Sequence, residues 1–293
     1  MPLSSLALVI LAGLIHAIWN ITAKKAGGDA RFATFTSVLM AFLWAPLGIW
    51  LGLEVLPTWG SVEWGLVVVS GLLHVVYYIA LLRGYRGADL TVVYPLARGS
   101  GPLLSSLTAL LVLGEQITTL GVTGIFAVVA GVFFIAGGPQ LFRAVHDPAK
   151  QASIRTGMLY GLLTGLFIAS YTVVDGYAVK FVLMSPILLD YYGNFVRILF
   201  LLPTVLKDRS TAAQHWREQW KYALVVATIS PISYVLVLYA MKAAPLSHVA
   251  PAREVSMLFA ALIGGHLLGE RDRLARIAGA ALIAFGVMAL ALG

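Results

Sequence analysis

Apolar runs of about twenty residues recur along the whole chain, separated by short stretches where charged and turn-forming residues gather. A helix of that length crosses the roughly 30 Å of hydrocarbon in a bilayer. The pattern predicts ten such helices, at residues 3–23, 32–53, 62–82, 90–113, 120–137, 157–178, 186–206, 220–241, 246–268 and 274–292. The fourth contains Pro95 and Pro102, which remove two backbone donors, so it is expected to bend and to serve in gating. The longest polar stretch, 139–156, separates five spans from five.

The two halves resemble one another. Slid by 155 residues, Tyr94-Pro-Leu-Ala-Arg98 falls on Val249-Ala-Pro-Ala-Arg253, and Leu113-Gly114-Glu115 then falls on Leu268-Gly269-Glu270. Gly124 meets Gly279, and Gly131 meets Gly286. Nearer the start of each half, setting Gly13 on Gly165 brings Trp19 to Tyr171. The chain is therefore divided into a first repeat at 1–138, a linker at 139–156 and a second repeat at 157–293. Five spans per half is an odd number, so the second half must enter the membrane in the opposite sense. The expected fold is an all-α polytopic membrane protein, an inverted five-plus-five repeat around a central cavity.

Composition narrows the function. Of 293 residues, 60% are hydrophobic and 11% charged, which leaves no room for a soluble domain beside ten spans. The net charge of +7 does not call for nucleic acid, because its distribution is that of a membrane protein. Fifteen of the twenty lysines and arginines flank alternate connections, including Lys24, Lys25, Arg31, Lys207 and Arg209; only Lys180 and Lys242 flank the others. The positive-inside rule then puts both termini on the outer side of a cell (inner) membrane. No basic residue precedes the apolar 6–18 run, so it is expected to be the first span and not a cleaved signal. The absence of cysteine excludes disulfides and thiolate chemistry. No P-loop, nucleophile elbow, H-E-x-x-H or Asp-rich metal motif is present, so neither an enzyme nor a cofactor or metal is expected.

Polar groups inside the spans mark the candidate site, since lipid offers them no partner. His16, Trp19 and Asn20 share one helix face, as do His74, Tyr77 and Tyr78. Tyr94 and Arg98 lie one turn apart. Tyr171 and Asp175 follow in the sixth span, Tyr234 in the eighth, and His248, Arg253 and Glu254 in the ninth. Trp19, Tyr77 and Tyr78 suit either a cavity wall or an interfacial belt. The histidines suit either helix-to-helix hydrogen bonds or proton carriage. Arg98 is expected to meet an anionic group of the substrate; the rival role is a counter-ion for Asp175 or Glu254. Glu115 and Glu270 are expected to be boundary or capping residues. The glycines of the fifth and tenth spans are expected to allow close backbone approach, as scaffold or as a dimer surface.

The Pro-Leu-Ala-Arg98…Leu-Gly-Glu115 and Pro-Ala-Arg253…Leu-Gly-Glu270 stretches, each followed by a glycine-rich span, resemble tandem EamA domains of the drug/metabolite transporter superfamily. The resemblance implies ten helices, a central cavity, alternating access and a small-molecule substrate. His74, Tyr78, Tyr94 and Arg98 look most like the aromatic amino-acid exporter branch. Gly99 stands where the second half has Glu254, so the halves need not contact a substrate equally. An exporter of amino acids or related metabolites is the leading expectation. A proton-coupled drug or cation exporter, with Glu254 or Asp175 carrying the proton, and a membrane sensor or assembly subunit without flux are the alternatives. Oligomeric state is left open, a monomer being compatible with the pattern.

Overall fold

Helix α1 runs from Leu3 to Lys25, and its start meets the end of the chain, where the Met1 amine donates to the Ala291 carbonyl at 2.9 Å. The computed structural model describes residues 1–88, 90–135, 148–268 and 273–293. Among these, every regular element is helical. The others are α2 (Ala30–Leu43), α3 (Ala45–Val55), a 3₁₀ turn (Leu56–Thr58), α4 (Ser61–Gly87), α5 (Leu90–Leu111) and α6 (Thr119–Ile135). The second half contributes α7 (Pro148–Lys180), α8 (Pro186–Leu206), α9 (Arg209–Ala243), α10 (Leu246–Ala252), α11 (Val255–Leu268) and α12 (Arg273–Leu292).

Among the described residues, Leu3–Lys25, Ser61–Gly84, Gln151–Lys180 and Arg209–Ala243 are long and apolar enough to cross a membrane; α2 and α3, bent by 62°, make a fifth candidate if taken as one span. Thr119–Ile135 and Ile277–Leu292 are shorter apolar helices. Large apolar side chains such as Phe42, Leu53, Leu111 and Leu199 stand more than half exposed, an outer coat that suits hydrocarbon and not water.

Boundaries depart from expectation where polar residues continue a helix. α7 begins at Pro148, inside the stretch assigned to the linker, and α9 begins at Arg209, eleven residues before the apolar run. Asp208 explains the second start: its carboxylate accepts from the Thr211 amide at 3.1 Å and caps the helix. Gly137, Gly138, Glu270 and residues 139–147 of the expected linker lie outside the described residues, as does the Pro95 side chain.

Two helix breaks fall beside prolines outside α5. α5 is one uninterrupted helix despite its two prolines. The second span breaks instead at Trp44, with Pro46 in the first turn of α3, and the ninth breaks at Arg253–Glu254, just after Pro251. Proline cannot donate to the carbonyl four residues back. The carbonyl left by Pro251, on Ser247, accepts from the Ser106 hydroxyl at 3.1 Å, and the one left by Pro231, on Ala227, accepts from Trp44 Nε1 at 3.1 Å. Both donors come from the first half, so the first half completes helices of the second.

Packing between the halves is reciprocal. α6 and α12 lie against each other, with Gly124 against the Gly286 carbonyl and Gly131 against the Gly279 carbonyl. In the 155-residue register these are the same two positions exchanged, and the numbers run in opposite directions along the pair. The glycine faces are thus consumed within the chain, as scaffold and not as a dimer surface. Likewise α1 packs on α9 as α4 packs on α7. Gly157, Gly161 and Gly165 seat α7 on α5 at Val92, Val93 and Leu96, and Gly101. Gly13 seats α1 on the α10–α11 break, where a Cβ would stand 3.2 Å from the Ser256 nitrogen.

Candidate functional site

The break between α10 and α11 places two charged residues in the middle of the molecule. After Pro251 the backbone tightens, with the Glu254 amide on the Pro251 carbonyl at 3.0 Å and the Met257 amide on the Glu254 carbonyl at 2.8 Å. Arg253 and Glu254 fall in this turn, 6% and 1% exposed. From α5, Arg98 reaches Glu254: Nη2 lies 2.7 Å from Oε2, and the same nitrogen donates to the Ser256 hydroxyl at 3.2 Å. Arg253 Nε stands 3.9 Å from the other Glu254 oxygen. Two arginines therefore share one carboxylate. Their Nε groups complete no hydrogen bond among the described residues. One turn before Arg98, the Tyr94 hydroxyl donates to Met257 Sδ at 3.2 Å.

Beside this basic group stands an aromatic one. The His74 ring stacks on Tyr171 at 4.1 Å, and Tyr234 and Tyr77 meet those rings edge-on. His74 Nδ1 donates to the Ser70 carbonyl at 2.9 Å, which fixes its tautomer. Asp175, with no exposed surface, accepts from the Tyr234 hydroxyl through one oxygen, and the Ser70 hydroxyl stands beside the carboxyl. Tyr77 stands between the groups, within electrostatic reach of Arg98 and Arg253 on one side and Tyr171 on the other. His16 faces both arginines. Cation, carboxylic acid and aromatic faces are therefore gathered in one buried region fed by α1, α4, α5, α7, α9 and the α10–α11 break.

A second charged cluster closes the end of the bundle where the chain termini meet. Gly114 takes a φ of +67°, the left-handed conformation that ends α5 and turns Glu115 back. Glu115 accepts from Lys180 Nζ at 2.8 Å and from the Leu246 and Ser247 amides at 2.8 and 2.9 Å. It caps a helix, as expected of it, but that helix is α10 of the other half. Burial pushes the Glu115 carboxyl up, but the Lys180 ammonium and the two amides outweigh it and hold the group below its ordinary value. At the opposite end, Asp29 caps α2 and pairs with Arg31 at 3.3 Å, and Arg31 also reaches Asp208 at 3.5 Å.

Of the residues expected at the site, the structure brings together His16, His74, Tyr77, Tyr94, Arg98, Tyr171, Asp175, Tyr234, Arg253 and Glu254. Trp19 meets the His16 ring edge-on at 4.7 Å and packs also against Phe32, Ala223 and Val226, while Asn20 bonds back to the His16 carbonyl. Two stand apart: Tyr78 donates to the Asp29 carbonyl at 2.9 Å, and His248 lies by Ser247 at the Glu115 end. Helical spacing gives a shared face, but depth along the helix decides whether that face meets the centre. The sequence reading missed the buried Arg197–Asp190 pair at 2.7 Å, whose seven-residue spacing on one helix was the available signal. Ser106 and Trp44 were missed too, although Pro251 and Pro231 announce that a carbonyl needs a donor.

These features have a family. The model of the EamA-like transporter family matches the chain at residues 3–137 and again at 155–292, so the chain belongs to that family and is a multi-pass membrane transporter of small substrates. A solved crystal structure of a protein has the same fold: TM-score 0.69 at 15% identity, over 99% of this chain and 98% of that one. No curated protein matches the chain in sequence.

Proposed function

We propose that this chain is a secondary transporter that exports amino acids or related small metabolites by alternating access through the central region. The observation that carries the proposal is the two-to-one ratio of Arg98 and Arg253 to Glu254, which leaves cationic capacity for a substrate carboxylate next to aromatic faces for its side chain. Charge-assisted, forked hydrogen bonds from arginine suit a carboxylate. The architecture proposed is ten spans, with α2 and α3 forming one and α10 and α11 another, as an inverted repeat. The exchanged Gly124–Gly286 and Gly131–Gly279 contacts support it, because a two-fold axis in the membrane plane generates such pairs. The meeting of Met1 with Ala291 supports an even number of crossings. Lys24, Lys25, Arg31, Lys207 and Arg209 sit at helix ends away from the termini, which supports both termini on the outer side of an inner membrane.

The test is flux of a labelled amino acid into liposomes holding the purified chain, with its amide analogue as competitor. Arg98→Lys should transport less than the parent, and Arg98→Ala should lose nearly all flux and all preference for the carboxylate over the amide. A preference that survives in Arg98→Ala would remove Arg98 from the site.

A further inference from the structure

Away from the central region, α2, α8 and α9 enclose a cavity of about 200 Å³. It is lined by Met40 and Trp44 at the α2–α3 bend, Tyr191 of α8, and Ile232, Val235 and Tyr239 of α9. The polar atoms of its inner wall are already spent. Trp44 Nε1 donates to the Ala227 carbonyl at 3.1 Å and the Tyr191 hydroxyl to the Ala41 carbonyl at 3.2 Å. Asp190, the charged group in the wall, pairs with Arg197 at 2.7 Å. Such a wall has little to offer water, and an apolar cavity without free polar partners takes an apolar guest.

The mouth belongs to the hydrocarbon-facing coat. Tyr239 is the most exposed of the lining residues, at 38%, and Phe42 and Leu43, next to Trp44 in the chain, are exposed as well. On α9, Ile232, Val235, Tyr239 and Lys242 follow one another at intervals of three, four and three residues, so they form one stripe along the helix. From Pro231, also in the wall, to Tyr239 the helix rises about 12 Å, most of one leaflet's half of the roughly 30 Å hydrocarbon core. The stripe ends in a cation. α9 finishes at the end where the termini meet, since the Ala244 carbonyl accepts from Lys180 of the Glu115 cluster at 3.2 Å. Lys180 is consumed there, whereas Lys242 is exposed and pairs with no carboxylate among the described residues. A lysine one turn beyond an apolar chamber, at the level of the headgroups, suits a lipid phosphate.

We propose that this cavity is a phospholipid site, in which one acyl chain lies along α9 from Tyr239 to Pro231 and the lipid phosphate pairs with Lys242. The bound chain backs Trp44, the residue at which α2 and α3 bend by 62°, against α9. It also covers the Asp190–Arg197 pair, and Arg197 lies within electrostatic reach of His74 and Tyr234 in the centre. Membrane lipid would thus act on the α2–α3 bend from outside the bundle, whatever solute crosses its middle.

Liposomes holding the purified chain and a trace of phosphatidylglycerol with a diazirine in one acyl chain test this by photolabelling and peptide mapping. Labelling of residues 40–44 and 232–239 should exceed several-fold that of Leu199, which is 68% exposed on the coat. Diacylglycerol with the same diazirine chain has no phosphate and should label the cavity several-fold less. Lys242→Gln should bring phosphatidylglycerol down to the diacylglycerol level. Val235→Trp, which fills the cavity, should bring it down to the level of Leu199. Should Val235→Trp fail to fold, Lys242→Gln decides, because that side chain is exposed and packs on nothing the fold needs. Cavity labelling no heavier than that of Leu199, equal labelling by the two lipids, or a Lys242→Gln chain labelled like its parent overturns the proposal. So does a cavity that neither lipid reaches while Leu199 is labelled, for then another occupant, such as a second copy of this chain, covers it.

Discussion

Arg98 bears two loads, and its substitutions separate them. It neutralises Glu254, which is 1% exposed, so Arg98→Ala leaves a buried carboxylate with only the more distant Arg253 and should lower stability by up to about 3–5 kcal/mol. Glu254→Gln in the same chain should restore most of that loss in thermal unfolding. On the proposed function transport should not return, because the guanidinium that would meet the substrate is still missing. Recovery of flux together with stability would make Arg98 a counter-ion and nothing more. Ser106→Ala tests a humbler link: it orphans the Ser247 carbonyl beside Pro251 and should cost about 1–3 kcal/mol. At this scale the sequence was informative about chemistry and silent about partners. Arg98, Glu254 and Asp175 stood out as costly groups in apolar spans. That Arg98 finds Glu254, 156 residues away, while Asp175 finds Tyr234 and Ser70, depends on helix order and depth, which one span cannot encode.

Helices show a similar division. Twenty-residue apolar runs located most elements to within a few residues, since hydrophobic length is a direct demand of the bilayer. Their ends were harder to place, because a helix leaving the membrane loses its apolar signal while its hydrogen bonds continue, as at Arg209. Proline positions were visible, yet their effect was not: α5 absorbs Pro95 and Pro102, while Pro251 sits beside a break whose charged residues are drawn to Arg98. Glycine positions in α6 and α12 were visible as well, and only the fold pairs them with each other. This pairing is testable. A Cβ on Gly131 would meet the Gly279 carbonyl at 2.6 Å, and backbone cannot step aside, so Gly131→Ala should destabilise by about 1–3 kcal/mol. Gly65→Ala in α4 meets nothing within 4 Å and should be neutral or stabilising by up to about 1 kcal/mol through helix propensity alone. Equal unfolding temperatures for the two variants would contradict the close α6–α12 contact.

At the scale of the whole molecule, the repeated Leu-Gly-Glu motif matters because its first copy joins the halves. Glu115 belongs to the first half, and its three donors belong to the second. The Ser106–Ser247 hydrogen bond lies just inside it, so the end near the termini is held shut by contacts between α5 and α10. Further along, α5 meets the α10–α11 break through Arg98 on Glu254 and Ser256, and packs along its length on α7. A bundle closed at one end has to release that end if it is to pass a substrate. Cysteines replacing Ser106 and Ser247 in this cysteine-free chain should therefore cross-link readily and stop flux, and reduction should restore it. Glu115→Gln removes the ion pair with Lys180 and weakens the α10 cap, so it should slow that cross-link and admit thiol reagents to a single cysteine at 247. Acid should act in the same direction. The folded protein holds the Glu115 carboxyl below its ordinary value, so the latch contributes fully above that value and is lost only as pH falls through the depressed one. Reactivity at 247 should then stay flat through neutral pH and rise only under acid conditions below about 4.5. In Glu115→Gln it should be high at every pH. A rise in the wild type between pH 6 and 8, or a Glu115→Gln chain as protected as its parent, would show that something other than Glu115 keeps this end closed.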